Sequence, residues 1–171
     1  MKKMTFLSLT LALISAVAIA FTACNNNDDD PRDMTPPVIT DEGITANPIN
    51  CQTYHRGEVI AFNYVFTDNG GLGGYALEIH NNFDHHSHST EGDHDHECDD
   101  DDDYGDDHHD EGTPWKATFT YEIPYQVKRF VARNDLKIPA DATPGDYHFM
   151  IRVTDRAGWQ QLKSVAIKIL E

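Results

Sequence analysis

From Gly57 to Leu170 the chain is a succession of short apolar runs broken by turn residues, and within most runs apolar and polar positions alternate. Gly57-Glu58-Val59-Ile60-Ala61-Phe62-Asn63-Tyr64-Val65-Phe66 is β-branched and aromatic and ends at Asp68-Asn69-Gly70-Gly71, a turn signal. Tyr75-Ala76-Leu77-Glu78-Ile79-His80 repeats with period two. Trp115 to Ile123, Lys128 to Ile138, Asp146 to Thr154 and Gln161 to Leu170 follow, with Pro139 to Gly145 and Asp155-Arg156-Ala157-Gly158 as punctuation. A first strand near Val38 to Ile44 brings the count to seven. No window sustains the 3.6-residue period of an amphipathic helix, so the pattern predicts an all-β, seven-stranded immunoglobulin-like β-sandwich.

Alternation also assigns faces, because successive strand side chains point to opposite sides of a sheet. With Tyr75, Leu77 and Ile79 facing inward, Glu78 and His80 face outward. With Tyr147, Phe149, Ile151 and Val153 inward, His148 faces outward, as does Met150. In an immunoglobulin-like sandwich these two strands are antiparallel neighbours, so His80 and His148 are predicted to meet on one outer face.

The strand pattern fails between residues 81 and 113. From Asn81 to Glu111 there are 14 Asp and Glu and no Lys or Arg, and eight of the ten His fall between His80 and His109. Such a stretch buries too little apolar surface to offset chain ordering and reads as a long disordered acidic His-rich insertion. The whole chain carries −16; removing Lys2 and Lys3 gives −18, and setting aside the 14 acidic residues leaves −4. The acidity is therefore local. It repels nucleic acid phosphates and attracts cations.

The first 23 residues form a secretory signal: Lys2 and Lys3 precede an apolar run from Phe6 to Phe21 that is short for a spanning helix. Phe21-Thr22-Ala23-Cys24 resembles the bacterial lipobox, which implies lipid on Cys24 and a mature chain of 171 − 23 = 148 residues, the length of one domain. The acidic stretch Asn25 to Asp30 resembles the signal that exports lipoproteins of Bacteroidetes to the cell surface, and it also serves as a plain polar linker. The organisation expected is a signal peptide over 1–23, a flexible acidic tether over 24–36 and the sandwich domain over 37–171, in an outer membrane lipoprotein exposed at the cell surface.

"PGDYHFMIRVTDRAGWQ" at residues 144–160, "GGYALEIHNNFDHHSH" at residues 73–88 and Cys51 ahead of "HRGEVIAF" resemble the Bacteroidetes lipoprotein family defined as domain of unknown function 4625. The resemblance spans most of residues 37–171 and implies an immunoglobulin-like lipoprotein domain with a His-rich segment after its third strand. It implies no mechanism. The run Asp99 to Asp110 is an expansion beyond that pattern.

Two imidazoles fixed on a sheet, with more where the insertion departs, suit a transition metal: zinc first, copper or nickel next. The predicted ligands are His80 and His148 as fixed groups, His85, His86 and His88 as closing groups, and Asp84 as ligand or orienter. His94, His96, His108 and His109 form a weaker collecting set. Calcium is a rival for Asp99 to Asp103; with Gly105 at the sixth place of an EF-hand loop Glu111 falls at the twelfth, but Tyr104 then occupies a ligand position and no helices flank it, which leaves weak calcium attraction. Cys51 and Cys98 are expected to form a disulfide in an oxidising compartment, the alternative being Cys98 as a thiolate ligand.

His55 reads as a loop residue, and Trp115 and Trp159 read as covers of the core edge, with carbohydrate stacking the other reading. No nucleophile and base pairing, no His-Glu-x-x-His and no phosphate cradle is present in the sequence, so a non-enzymatic role is expected. Metal buffering or transfer is the function expected; the competing class is an interaction module for a glycan or partner protein, with the His segment incidental.

Overall fold

The computed structural model describes residues 32–83 and 113–171. The chain divides into Met1–Arg32 and Asp33–Glu171, and all of the described strands belong to the second unit. Eight strands form two sheets: β1 (Val38–Thr40), β3 (Val59–Thr67) and β6 (Arg129–Lys137) in one, and β2 (Gln52–His55), β8 (Gln160–Leu170), β7 (Gly145–Asp155), β4 (Leu72–Asn81) and β5 (Ala117–Glu122) in the other, in those orders. This is the two-sheet all-β sandwich read from the strand pattern.

Among the described residues the count of seven is corrected to eight. Gln52-Thr53-Tyr54-His55 pairs in parallel with Ile167 to Leu170, and of its four side chains only Tyr54 is buried. A four-residue polar edge strand with one inward anchor leaves almost no periodic signal. The first strand is also shorter than the pattern indicated, because the chain turns at Asp41, whose carbonyl accepts the Ile44 N–H at 3.1 Å.

The core sits between the sheets and is aromatic at its centre. Phe62 of β3 crosses the interface to stack on Phe149 of β7 at 5.8 Å and Tyr75 of β4 at 6.4 Å between ring centroids. Ile60, Leu77, Ile79, Ile151, Ile167 and Ile169 close around them, fully buried or nearly so. At roughly 1.5–3 kcal/mol for each large apolar side chain removed from water, this interior fixes the register of β4 against β7, since a slip of β4 by one residue would turn Tyr75, Leu77 and Ile79 out of the core.

Two glycines mark where backbones meet. The register between β4 and β7 shifts between Leu72 and Gly74. A Cβ on Gly73 would stand 2.8 Å from the Asp155 carbonyl oxygen, and one on Gly74 the same distance from that of Tyr121. Glycine is what allows the bulge to keep both neighbours.

β4 and β5 are antiparallel partners, with Ile79 opposite Ala117. The end of β4 and the start of β5 therefore lie at one end of the same sheet. The approach to β5 is anchored. Tyr147 donates its hydroxyl to the Thr143 carbonyl at 2.6 Å and accepts the Trp115 N–H at 3.2 Å, and Trp115 itself is buried at the core edge. Just after β4 the Phe83 ring meets Tyr147 edge-on at 5.5 Å and lies where a Cβ on Gly145 would be.

Candidate metal centre

β4 and β7 place His80 directly opposite His148 in the antiparallel register, one residue before β4 ends. The inward set of each strand is the one read from the sequence: Tyr75, Leu77, Ile79, Tyr147, Phe149, Ile151 and Val153 are all buried in the core cluster. His80 and His148 share the other face, with ring centroids 5.5 Å apart and planes at 46°.

The face is not open. His148 is only 4 % exposed, and the His80 side chain only 15 %. His148 occupies a central strand, flanked by His80 on β4 and by Ala166 on β8, with Ser164 Oγ at 3.5 Å from its Nδ1. Glu78, two residues before His80 on the same face, brings Oε1 to 3.7 Å from His80 Nδ1. Both residues have further interactions besides these. An imidazole pair beside a carboxylate and a hydroxyl, largely out of water, is a setting in which ring orientation is fixed by neighbours.

Cys51 stands on the same side of this sheet end. Its N–H donates to the carbonyl of Ala166, the register partner of His148, at 2.8 Å. Cys51 is disulfide-bonded. Its expected partner Cys98 lies outside the described residues, as do Asp84, His85, His86, His88, His94, His96, His108, His109 and the lipidation candidate Cys24. The calcium reading of Asp99 to Asp103 falls there too.

His55 sits on the polar edge strand with its Nδ1 3.7 Å from Glu58 Oε1, exposed and apart from the His pair. Trp159 is 37 % exposed, and its indole N–H donates to the Asp33 carbonyl at 2.8 Å. An open groove runs past Asn47, Gln52, Tyr54, Asn63 and Arg133. Its polar groups are turned on one another: Gln52 and Tyr54 both donate to Asn47 Oδ1, Arg133 donates to Asn63 Oδ1, and Asn63 donates to the Thr45 carbonyl. Burial pushes the Tyr54 hydroxyl up to about 12.

Sequence reasoning missed one constellation. Among the described residues, the three-residue group of His, Cys, Asp or Glu whose ligand atoms all lie within 4.8 Å of one another is Asp33, Asp68 and Asp155. In the sequence, Asp68 and Asp155 stand out only as the first residues of two turns.

Fold and site together define an all-β sandwich with a largely buried cross-strand His pair near the end of β4. The chain belongs to the family described as Domain of unknown function (DUF4625), whose model matches residues 22–170. No match was found among curated proteins.

Proposed function

We propose that this protein binds a transition metal ion, zinc first and copper or nickel next, in a centre founded on His80 and His148, and that it buffers the ion or passes it on from a lipid anchor at the outer membrane. The observation that carries the reading is the register pairing of His80 with His148, rings 5.5 Å apart, at the point where a His-rich segment leaves the sheet. Two imidazole nitrogens on one tetrahedral zinc, each at about 2.0–2.1 Å, stand roughly 3.3 Å apart, which rings at this spacing reach by small side-chain rotations. Ser164 beside His148 Nδ1 and Glu78 beside His80 Nδ1 favour the ε nitrogens as ligating atoms. His85, His86 and His88 complete the sphere, Asp84 ligates or orients, and His94, His96, His108 and His109 collect ions for it.

A preorganised pair lowers the entropy lost on coordination, which an isolated His tract cannot do. A disulfide from Cys51 to Cys98 would hold the insertion close to the pair, since Cys51 borders the strand next to His148. The interaction-module reading has the Asn47 groove to work with, but amides already bonded to one another offer few free donors to a glycan.

Calorimetric titration of zinc into the full chain tests the proposal. A tight class of sites is expected in the native chain and lost in both the His80→Ala/His148→Ala chain and a chain lacking residues 84–112, which leaves the paired strands β4 and β5 whole. Ligating imidazoles must be unprotonated, so the tight class weakens below about pH 6.5, the ordinary His value. Equal affinity at pH 5.5 and 7.5 would remove imidazole from the account.

A further inference from the structure

A cluster of carboxylates lies at the other end of β7 from His148. Asp155 closes β7 seven residues after His148, about 23 Å along an extended strand. It meets Asp68, from the β3–β4 turn, and Asp33, from the segment leading into β1, with one carboxylate oxygen of each within 4.8 Å of those of the other two. Asp155 is 4 % exposed, and its Oδ2 is buried with no hydrogen-bond partner; Asp68 Oδ2 is in the same condition. Buried carboxylate oxygens are ordinarily satisfied, so two orphans in one cluster call for a cation.

The remaining oxygens show how the cluster is held. Asp68 Oδ1 accepts the N–H groups of Gly70 and Gly71, Asp155 Oδ1 accepts the Trp159 N–H, and Asp33 Oδ1 accepts from Thr35 N–H and the Asn69 side-chain amide. The guanidinium of Arg156, which follows Asp155, is directed to the carbonyls of Leu72 and Ile123. Among the described residues no Lys or Arg forms an ion pair with any of the three. Gly70 is also required for contact, because a Cβ there would collide with the Asp33 carboxylate.

We propose that Asp33, Asp68 and Asp155 bind a hard divalent cation, calcium first. The donors are all carboxylate oxygen, which suits calcium or magnesium rather than zinc or copper, and three carboxylates from three separate stretches of chain supply the irregular, water-completed sphere that calcium tolerates and magnesium does not. The ion fastens the segment that precedes the first strand: Asp33 also accepts the Trp159 indole N–H through its carbonyl. Calcium thereby orders the junction where the tether enters the domain, independently of the His centre.

Thermal unfolding and tryptophan emission of the calcium-stripped full chain, titrated with calcium chloride and in parallel with magnesium chloride, test this. Calcium is expected to raise Tm by several degrees and change the emission saturably, with magnesium weaker. Asp33→Asn keeps the hydrogen-bonding shape but removes one charge, so it should lower calcium affinity at least about tenfold while leaving the calcium-free Tm equal or higher, since a repulsion is relieved. A merely structural Asp33 would lower the calcium-free Tm instead. The response must persist when His80 and His148 are both Ala and when Asp99 to Asp103 are all Asn. A native chain indifferent to calcium, an undiminished response in Asp33→Asn and Asp68→Asn, or a response abolished by the Asp99 to Asp103 changes would each overturn the proposal.

Discussion

Replacing His80 and His148 singly and together by Ala, with unfolding measured in urea under chelator and again under zinc, separates packing from coordination. Without metal the two rings are a cross-strand pair 5.5 Å apart, and such pairs couple by about 0.2–1 kcal/mol. His148→Ala alone should cost about 2–4 kcal/mol, because the ring is 4 % exposed and its loss leaves a gap on a central strand. With zinc held at a hundredfold excess over its dissociation constant, the native fold gains about 2.7 kcal/mol. If both rings are needed, each single variant forfeits that gain and the double variant forfeits it only once. The coupling energy therefore rises by about 2–3 kcal/mol between the two conditions. A coupling that is the same with chelator and with zinc would refute a shared ion.

Three further outcomes follow from the described contacts. Peptide mapping should find Cys51 joined to Cys98, 47 positions on, and Cys51→Ser should lower stability by about 4 kcal/mol in the chain-entropy view; a loss under 1 kcal/mol would contradict a loop of that size. Tyr54, Tyr64 and Tyr75 have hydroxyls pushed from 10.0 up to about 12, chiefly by burial. The unfolded chain thus ionises first, so stability is fully present below pH 10 and falls as pH rises toward 12; urea midpoints unchanged over that interval would contradict this. Gly73→Val should destabilise by at least about 2 kcal/mol, because its Cβ would press on the Asp155 carbonyl at 2.8 Å, and a neutral result in a denaturation series would show that the bulge yields more easily than its geometry indicates.

The sequence exposed what depends on alternation and concealed what depends on convergence. Tyr75, Leu77 and Ile79 on one strand and Tyr147, Phe149, Ile151 and Val153 on another announce their inward face by period alone, and the opposite placement of His80 and His148 follows from it. Period does not report depth. His148 faces away from the core yet is covered, and it lies on a central strand flanked on both sides, by His80 and by Ala166. Gln52 to His55 escaped notice for the converse reason: one buried Tyr54 among polar residues on an edge has no repeat to detect.

Asp33, Asp68 and Asp155 lie 35 and 87 positions apart along the chain, so no local pattern joins them. Asp68 and Asp155 were visible only as turn formers, which they also are, each carboxylate accepting backbone N–H groups of its own turn. A signal was available in the pairing of two Asp-led turns that the sandwich brings to one end, though Asp33 in the preceding segment gave none. The His-rich insertion drew attention by composition, whereas the acidic triad is made by topology.

Elemental analysis of the full chain, purified without a His-tag or nickel column and dialysed against metal-free buffer, tests the His centre most directly. About one zinc, copper or nickel ion per chain is predicted to remain with the native protein and to be absent from the His80→Ala/His148→Ala chain, whose insertion is intact. Equal metal content in the two would place any binding in the insertion alone and contradict a centre founded on the paired strands.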